Sequence, residues 1–347
     1  MRVILFVLFT MFSIASGKPQ WKQRILPSAF PFKDAHYSRM AHDRNQNIVY
    51  ALSHGHIFLF NLNNFTIDSV RIHGESPSGE QFTLDAKHHR LIMGKGGMQI
   101  KFEIDINTGL CKILIPHRED EHSHFSALYW NDKLERVGYF GGYGHRRANN
   151  WAFEYDQHHN WIQVHENSDD CKPPKRLLSE FVLGHPEKPH LYLVSGLWGN
   201  CSGNQQEQQC SNGLSAIGND LGSWCWLRDV FLYDYEQHTF TTIIGPHEQS
   251  ITHEGIPAYD YKENTLYIIG GYIPKVRERS LESYISHNSI LRLRIGKDKT
   301  FHHVPTITKN MNVYSWHDQH NMCAYYNPAK NSLLWFRNDG LWELQLQ

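Results

Sequence analysis

The chain has almost no net charge. Its 34 Lys and Arg nearly cancel 35 Asp and Glu, which leaves -1 over 347 residues with His neutral. Nucleic-acid binding draws on a basic field, and the molecule as a whole has none. No stretch beyond the first residues is apolar enough to span a bilayer, so no membrane span is expected. The signatures of common catalytic sites are missing as well: there is no nucleophile elbow, no metalloprotease helix and no phosphate loop. No cofactor and no resident metal are therefore expected. Cysteine is sparse at six, and the spacings lack the short paired form of a strong zinc signature. The final residues, Glu343 to Gln347, carry neither a retention signal nor a lipid-anchor signal.

The sequence opens with Met1-Arg2, an apolar run from Val3 to Ile14 and the small residues Ala15-Ser16-Gly17. A charged start, a short apolar core and small residues at a cleavage point are the pattern of a secretory signal peptide. Residues 1–17 are expected to be a leader and 18–347 a single mature domain. The destination is extracellular, or the lumen of the secretory pathway. In that oxidising compartment Cys171, Cys201, Cys210 and Cys225 are disulfide candidates, with connectivity open. Asn64 and Asn200 head the sequons Asn64-Phe65-Thr66 and Asn200-Cys201-Ser202 and are glycosylation candidates. Aromatics reach 13%, a composition that favours strands over helices.

Two short patterns alternate along the chain. One is an apolar strand, an Asp or Asn, a polar turn and a second apolar strand. It occurs at Asp43, Asp85, Asn131, Asp260 and Asn327, with a looser copy around Gly184-His185. Asp and Asn suit such turns because they bond to nearby backbone and tolerate left-handed φ. The other pattern is an alternating strand, a polar turn and an aromatic or apolar opener, as in Phe58-Leu59-Phe60-Asn61 before Phe65. Together they make six units of four strands, the sixth lacking its outermost strand. Trp21 to Leu26 is an unpaired strand-like piece that can supply it and remove the open edge. Four-stranded repeats of this period predict an all-β, six-bladed β-propeller, its last blade closed by the N-terminal strand.

The third unit reads Val137-Gly138-Tyr139-Phe140-Gly141-Gly142, then Tyr155-Asp156 and Trp161; the fifth has Tyr267-Ile268-Ile269-Gly270-Gly271. A double Gly ending the second strand, a Tyr-Asp in the third and a Trp opening the fourth resemble the kelch repeat. That resemblance implies a kelch-like propeller, a fold commonly six-bladed. Two enzyme groups on kelch-like rings are worth weighing: sialate mutarotases, and copper oxidases of the galactose oxidase type. They imply a small-sugar enzyme as the alternative function, with mutarotation ahead of oxidation.

Extra length falls between the second and third strands of unit four (197–229) and unit five (272–289). Long loops on one face of a rigid scaffold are where sites tend to lie. The same face collects Arg146, Arg147, Arg176, Arg277 and Arg279, with Trp224 in the larger insertion and His253 and His317 in junction loops. Clustered cations focus potential on an anionic partner, and Arg pairs bidentately with carboxylate or sulfate. The leading reading is thus a recognition module for an anionic glycan or an acidic protein, rather than an enzyme.

Overall fold

In the computed structural model, the Asp or Asn that marks a repeat ends an inner strand and ties down the turn that follows. Asp43 Oδ1 accepts the amides of Asn45 and Gln46 at 2.9 and 3.0 Å. Asn131 Oδ1 accepts those of Lys133 and Leu134 at 3.2 and 3.0 Å. Asp260 Oδ1 takes Lys262 and Glu263 at 3.0 and 3.2 Å. Asp85 and Asn327 bond in the same way to the amides of His88 and Ala329. All five side chains are at most 3% exposed, which is tolerable because their polar atoms find partners. The last residue of each turn is left-handed: Asn47, His89, Glu135, Asn264 and Asn331 have φ between 47° and 56°. In four blades its carbonyl accepts an amide from just beyond the third strand: Leu62 to Asn47, Ile106 to His89, Ile295 to Asn264 and Leu346 to Asn331, at 2.9–3.0 Å. Each of these four repeats therefore locks its own hairpin onto its own third strand.

The structure describes residues 20–25, 40–75, 81–95, 99–114, 122–124, 127–144, 147–148, 152–155, 161–165, 180–182, 187–199, 215–219, 222–245, 255–270, 272–274, 284–286, 290–305, 323–337 and 339–346. Among these there is no helix. The repeats form six sheets whose blade strands pair antiparallel, each running from an inner strand to an outer one; in blade two the short strand His73–Gly74 adds to the outer edge in parallel. Blade one is Met40–Asp43, Ile48–Ser53, His56–Asn61 and Thr66–Arg71. Blade two is Gln81–Asp85, Arg90–Lys95, Gln99–Asp105 and Leu110–Ile113. Blade three is Ala127–Asn131, Arg136–Phe140, Ala152–Tyr155 and Trp161–His165. Blade four is Glu180–Val182, His190–Gly199, Gly222–Asp234 and Thr239–Ile244. Blade five is Ile256–Asp260, Thr265–Ile269, Ile290–Arg294 and His302–Val304. Blade six takes Cys323–Asn327, Ser332–Arg337 and Gly340–Gln345 from the C-terminal end and Trp21–Ile25 from the other.

Six apolar clusters, each shared by two blades, show that the sheets close on themselves. Tyr50 and Ile57 pack with Phe82 and Leu91 between blades one and two. Ile92 meets Trp130 and Val137 between two and three. Tyr129 and Phe140 meet Leu193 and Phe231 between three and four. Tyr192 and Val230 meet Tyr259 and Leu266 between four and five. Ile256 and Tyr267 meet Tyr326 and Trp335 between five and six. Tyr325 and Phe336 then return to Val49 and Phe60 of blade one. A two-sheet sandwich would share one central core; pairwise cores that come back to the first blade require a ring. The seam between blades six and one is also bonded, Asn47 Nδ2 donating to Asn327 Oδ1 at 3.2 Å and Asn327 Nδ2 to the Leu62 carbonyl at 3.0 Å.

The closing strand pairs in antiparallel register, Trp21 opposite Leu344 and Gln23 opposite Trp342. Arg24 Nε donates to Glu343 Oε2 at 2.7 Å, and Ser332 donates to Glu343 Oε1 at 2.8 Å, so a nearly buried carboxylate is satisfied on both oxygens. No long apolar helix is present among the described residues.

Candidate functional site

The ring has two unlike faces. One carries the Asp and Asn turns. The other carries the links from second to third strands, and there the sheets grow beyond the blades. In blade three the second strand ends at Gly141-Gly142, both left-handed at φ 69° and 99°, a conformation that Gly enters without steric cost. The chain then forms Tyr143–Gly144, which pairs with Arg147–Ala148 on one side and His122–His124 on the other. In register, His122 lies opposite Gly144 and Gly144 opposite Arg147, which sets a His position and an Arg position in one cross-strand row.

In blade four, the second and third strands overrun the blade. Leu197 pairs with Trp226, Trp198 with Cys225 and Gly199 with Trp224. Ser215–Asn219 adds to the other edge, placing Ala216 opposite Cys225 and Ile217 opposite Trp224. Much of 197–229, expected as an inserted loop, is thus a three-stranded extension of the blade. The Arg147–Ala148 strand approaches the His190–Gly199 strand, so the raised parts of blades three and four adjoin. In blade five, Tyr272–Pro274 and Tyr284–Ser286 begin the second insertion as a small hairpin.

Of the expected binding residues, Arg147 and Trp224 lie on these raised strands. Arg146, Arg176, His253, Arg277, Arg279 and His317 lie outside the described residues, as do Cys171, Cys201, Cys210 and Asn200. Cys225 is placed by register only. Among the described residues there is no disulfide and no cluster able to hold a metal ion. Cys111 is a buried free thiol, and burial, then the nearby Glu75 charge, pushes it up to about 11. Asn64 is exposed on the turn face, where its Oδ1 accepts the Thr66 hydroxyl and amide at 2.8 and 3.1 Å.

One polar constellation was not singled out by sequence reasoning. Between blades three and four, the fully buried Glu154 accepts Asn131 Nδ2 at 2.9 Å and the Tyr129 hydroxyl at 3.2 Å. Tyr129 in turn meets the Tyr233 hydroxyl at 3.3 Å, and Tyr233 meets His238 Nδ1 at 3.1 Å. Burial, followed by the neighbouring Tyr233 and Glu154, raises the Tyr129 phenol well above its ordinary range, so it stays a donor. Gly138 makes the room: a Cβ there would strike the Tyr129 ring.

No family model matches the chain, and no curated protein matches it. A solved structure described as "Structure of YjhT" aligns with 87% of this chain and 72% of that one, at 9% identity and a TM-score of 0.45. The ring itself rests on the sheet order and the six interblade cores.

Proposed function

We propose that this chain is a secreted, kelch-like propeller that recognises an anionic glycan or an acidic protein through its raised loop face. The observation that carries the reading is the adjoining pair of sheet extensions over blades three and four. They put Arg147 in a row with His122 and bring Trp224 onto the neighbouring extension. Sheet-borne residues are held more rigidly than loop-borne ones, and rigidity lowers the ordering cost of binding. Arg supplies paired donors to carboxylate or sulfate, and Trp supplies a stacking surface for a sugar ring. The kelch character is supported by the two left-handed glycines that end the second strand of blade three, and by Gly270 at φ 68° in blade five. Arg146, Arg176, Arg277 and Arg279 belong to the same proposed face, residues 1–17 are its removed leader, and 18–347 form the one domain.

The test is a binding screen of the protein from residue 18 onward against anionic glycans, neutral glycans and acid sugars. It runs beside a variant with Arg146, Arg147, Arg176, Arg277 and Arg279 changed to Gln. Binding of an anionic glycan that weakens at least tenfold in the variant supports the reading. Equal inertness of both proteins contradicts the anionic-glycan reading and leaves an acidic protein partner. Anomer interconversion of an acid sugar would replace recognition with mutarotase-like chemistry.

A further inference from the structure

The sequon Asn64-Phe65-Thr66 closes the turn between the third and fourth strands of blade one. Phe65 has φ 62°, in the left-handed region that side chains other than Gly seldom enter. Its amide donates to the Asn61 carbonyl at 2.8 Å, which holds the kink. The three residues then point out, in and out. Asn64 and Thr66 are exposed, while Phe65 is half-buried and packs on the core between blades six and one. Lys330 of blade six lies over the Phe65 ring, its Nζ 3.6 Å from the centroid, and Arg24 Cζ of the closing strand is 5.5 Å from it. Cations are attracted to aromatic faces. The middle residue therefore anchors the sequon to the seam where the ring closes.

The hydrogen bonds of Asn64 are one-sided. Thr66 Oγ1 donates to Asn64 Oδ1 at 2.8 Å, and the Thr66 amide donates to the same oxygen at 3.1 Å. Among the described residues, no bond is made by Asn64 Nδ2. The other turn asparagines differ. Asn47, Asn131, Asn264 and Asn327 each donate Nδ2 to a neighbouring group of the ring. A substituent on any of those nitrogens would break a bond that joins strands or blades. At Asn64 it would break none of the bonds described.

We propose that Asn64 carries an N-linked glycan. The inference rests on the secretory reading of residues 1–17, since the transferase that recognises Asn-x-Thr works in the lumen of that pathway. Asn64 Nδ2 bonds to C1 of the reducing-end sugar of a lipid-pyrophosphate-linked oligosaccharide. The bond from C1 to the pyrophosphate oxygen breaks, the lipid pyrophosphate leaves with its electron pair, and Nδ2 gives one proton to a base of the transferase. In the folded ring the bulky, solubilising sugar stands on the turn face beside the seam of blades six and one. The raised extensions are on the opposite face and stay uncovered.

Expression in a glycosylating eukaryotic host tests the site, with peptide mapping by mass spectrometry before and after an amidase that releases N-glycans. One form keeps the chain's own residues 1–17, and a second carries a leader of established function in their place. Chain is collected from both cells and medium, so a variant retained for misfolding is still scored. In the second form a glycan is expected on Asn64. Asn64→Gln and Thr66→Ala should lose it, Thr66→Ser should retain it because the hydroxyl remains, and Asn200→Gln should leave it untouched. An unmodified Asn64 in the second form overturns the proposal, as does a glycan on Asn64 in T66A or one confined to Asn200. A glycan on Asn64 in the second form but not in the first supports the site and overturns the leader instead.

Discussion

A buried histidine links the stability of the fold to pH. His42 lies in the inner strand of blade one, just before its last residue Asp43, with 8% exposure. Its ring lies 5.1 Å from that of Tyr325, and its Nε2 is 3.3 Å from Asn47 Oδ1. Burial first, and the Arg44 charge second, lower its pKa from 6.5 to about 3, against a small opposing pull from Asn47. The folded state therefore resists a proton that the unfolded chain accepts. Stability from this group is whole above pH ~6.5 and drains as pH falls toward ~3, by about 3 kcal/mol between pH 7 and 4.5. Urea unfolding at those two pH values should show that loss in the native chain and a smaller one in His42→Gln. Equal losses in both would contradict the assignment. The same position is Tyr259 and Tyr326 in blades five and six, each bonded to the Asn five residues on. One geometric slot, aromatic or imidazole against a left-handed Asn, thus recurs around the ring.

At the scale of single elements, the strand from Trp21 to Ile25 has the largest consequence. It covers the edge of Gly340–Gln345 and joins the two ends of the chain within one sheet. Trp21 is 5% exposed and packs in the core between blades five and six, its ring 5.5 Å from that of Trp335. Trp21→Ala should cost about 3–5 kcal/mol. Lys22→Ala, at an exposed position of the same strand, should cost less than about 0.5 kcal/mol. The comparison of denaturation midpoints checks that the closing strand acts through its buried face. This strand was legible in the sequence because the sixth repeat visibly lacked a partner and the N-terminal segment visibly had none. The six repeats were legible because Asp43, Asp85, Asn131, Asp260 and Asn327 do local work: each bonds its own turn, so the signal sits within a few residues. The extension of blade four was not legible. Leu197 to Gly199 and Gly222 to Asp229 mix Gly, Trp, Cys and Ser without the alternation that marks a half-buried strand. Nor was the pairing of His122–His124 with Tyr143–Gly144, since it joins the entry to a blade with a link in its middle.

The whole molecule is a ring whose rigidity is spread over six pairwise cores, with its two faces left for different uses. Turn residues that cap their own hairpins make the first face short and tightly bonded. The raised sheets of blades three and four make the second face tall, and they bear the Arg and Trp positions on which the recognition proposal rests. The division is tested most directly by hydrogen-exchange mass spectrometry of the protein from residue 18 onward, with and without a heparin-derived hexasaccharide as the anionic probe. The account predicts slowed exchange in 122–124, 143–148, 197–199 and 215–227, with the turns at 44–47, 132–135 and 261–264 unchanged. Protection of those turns instead, or of no segment while the probe is saturating, would contradict it.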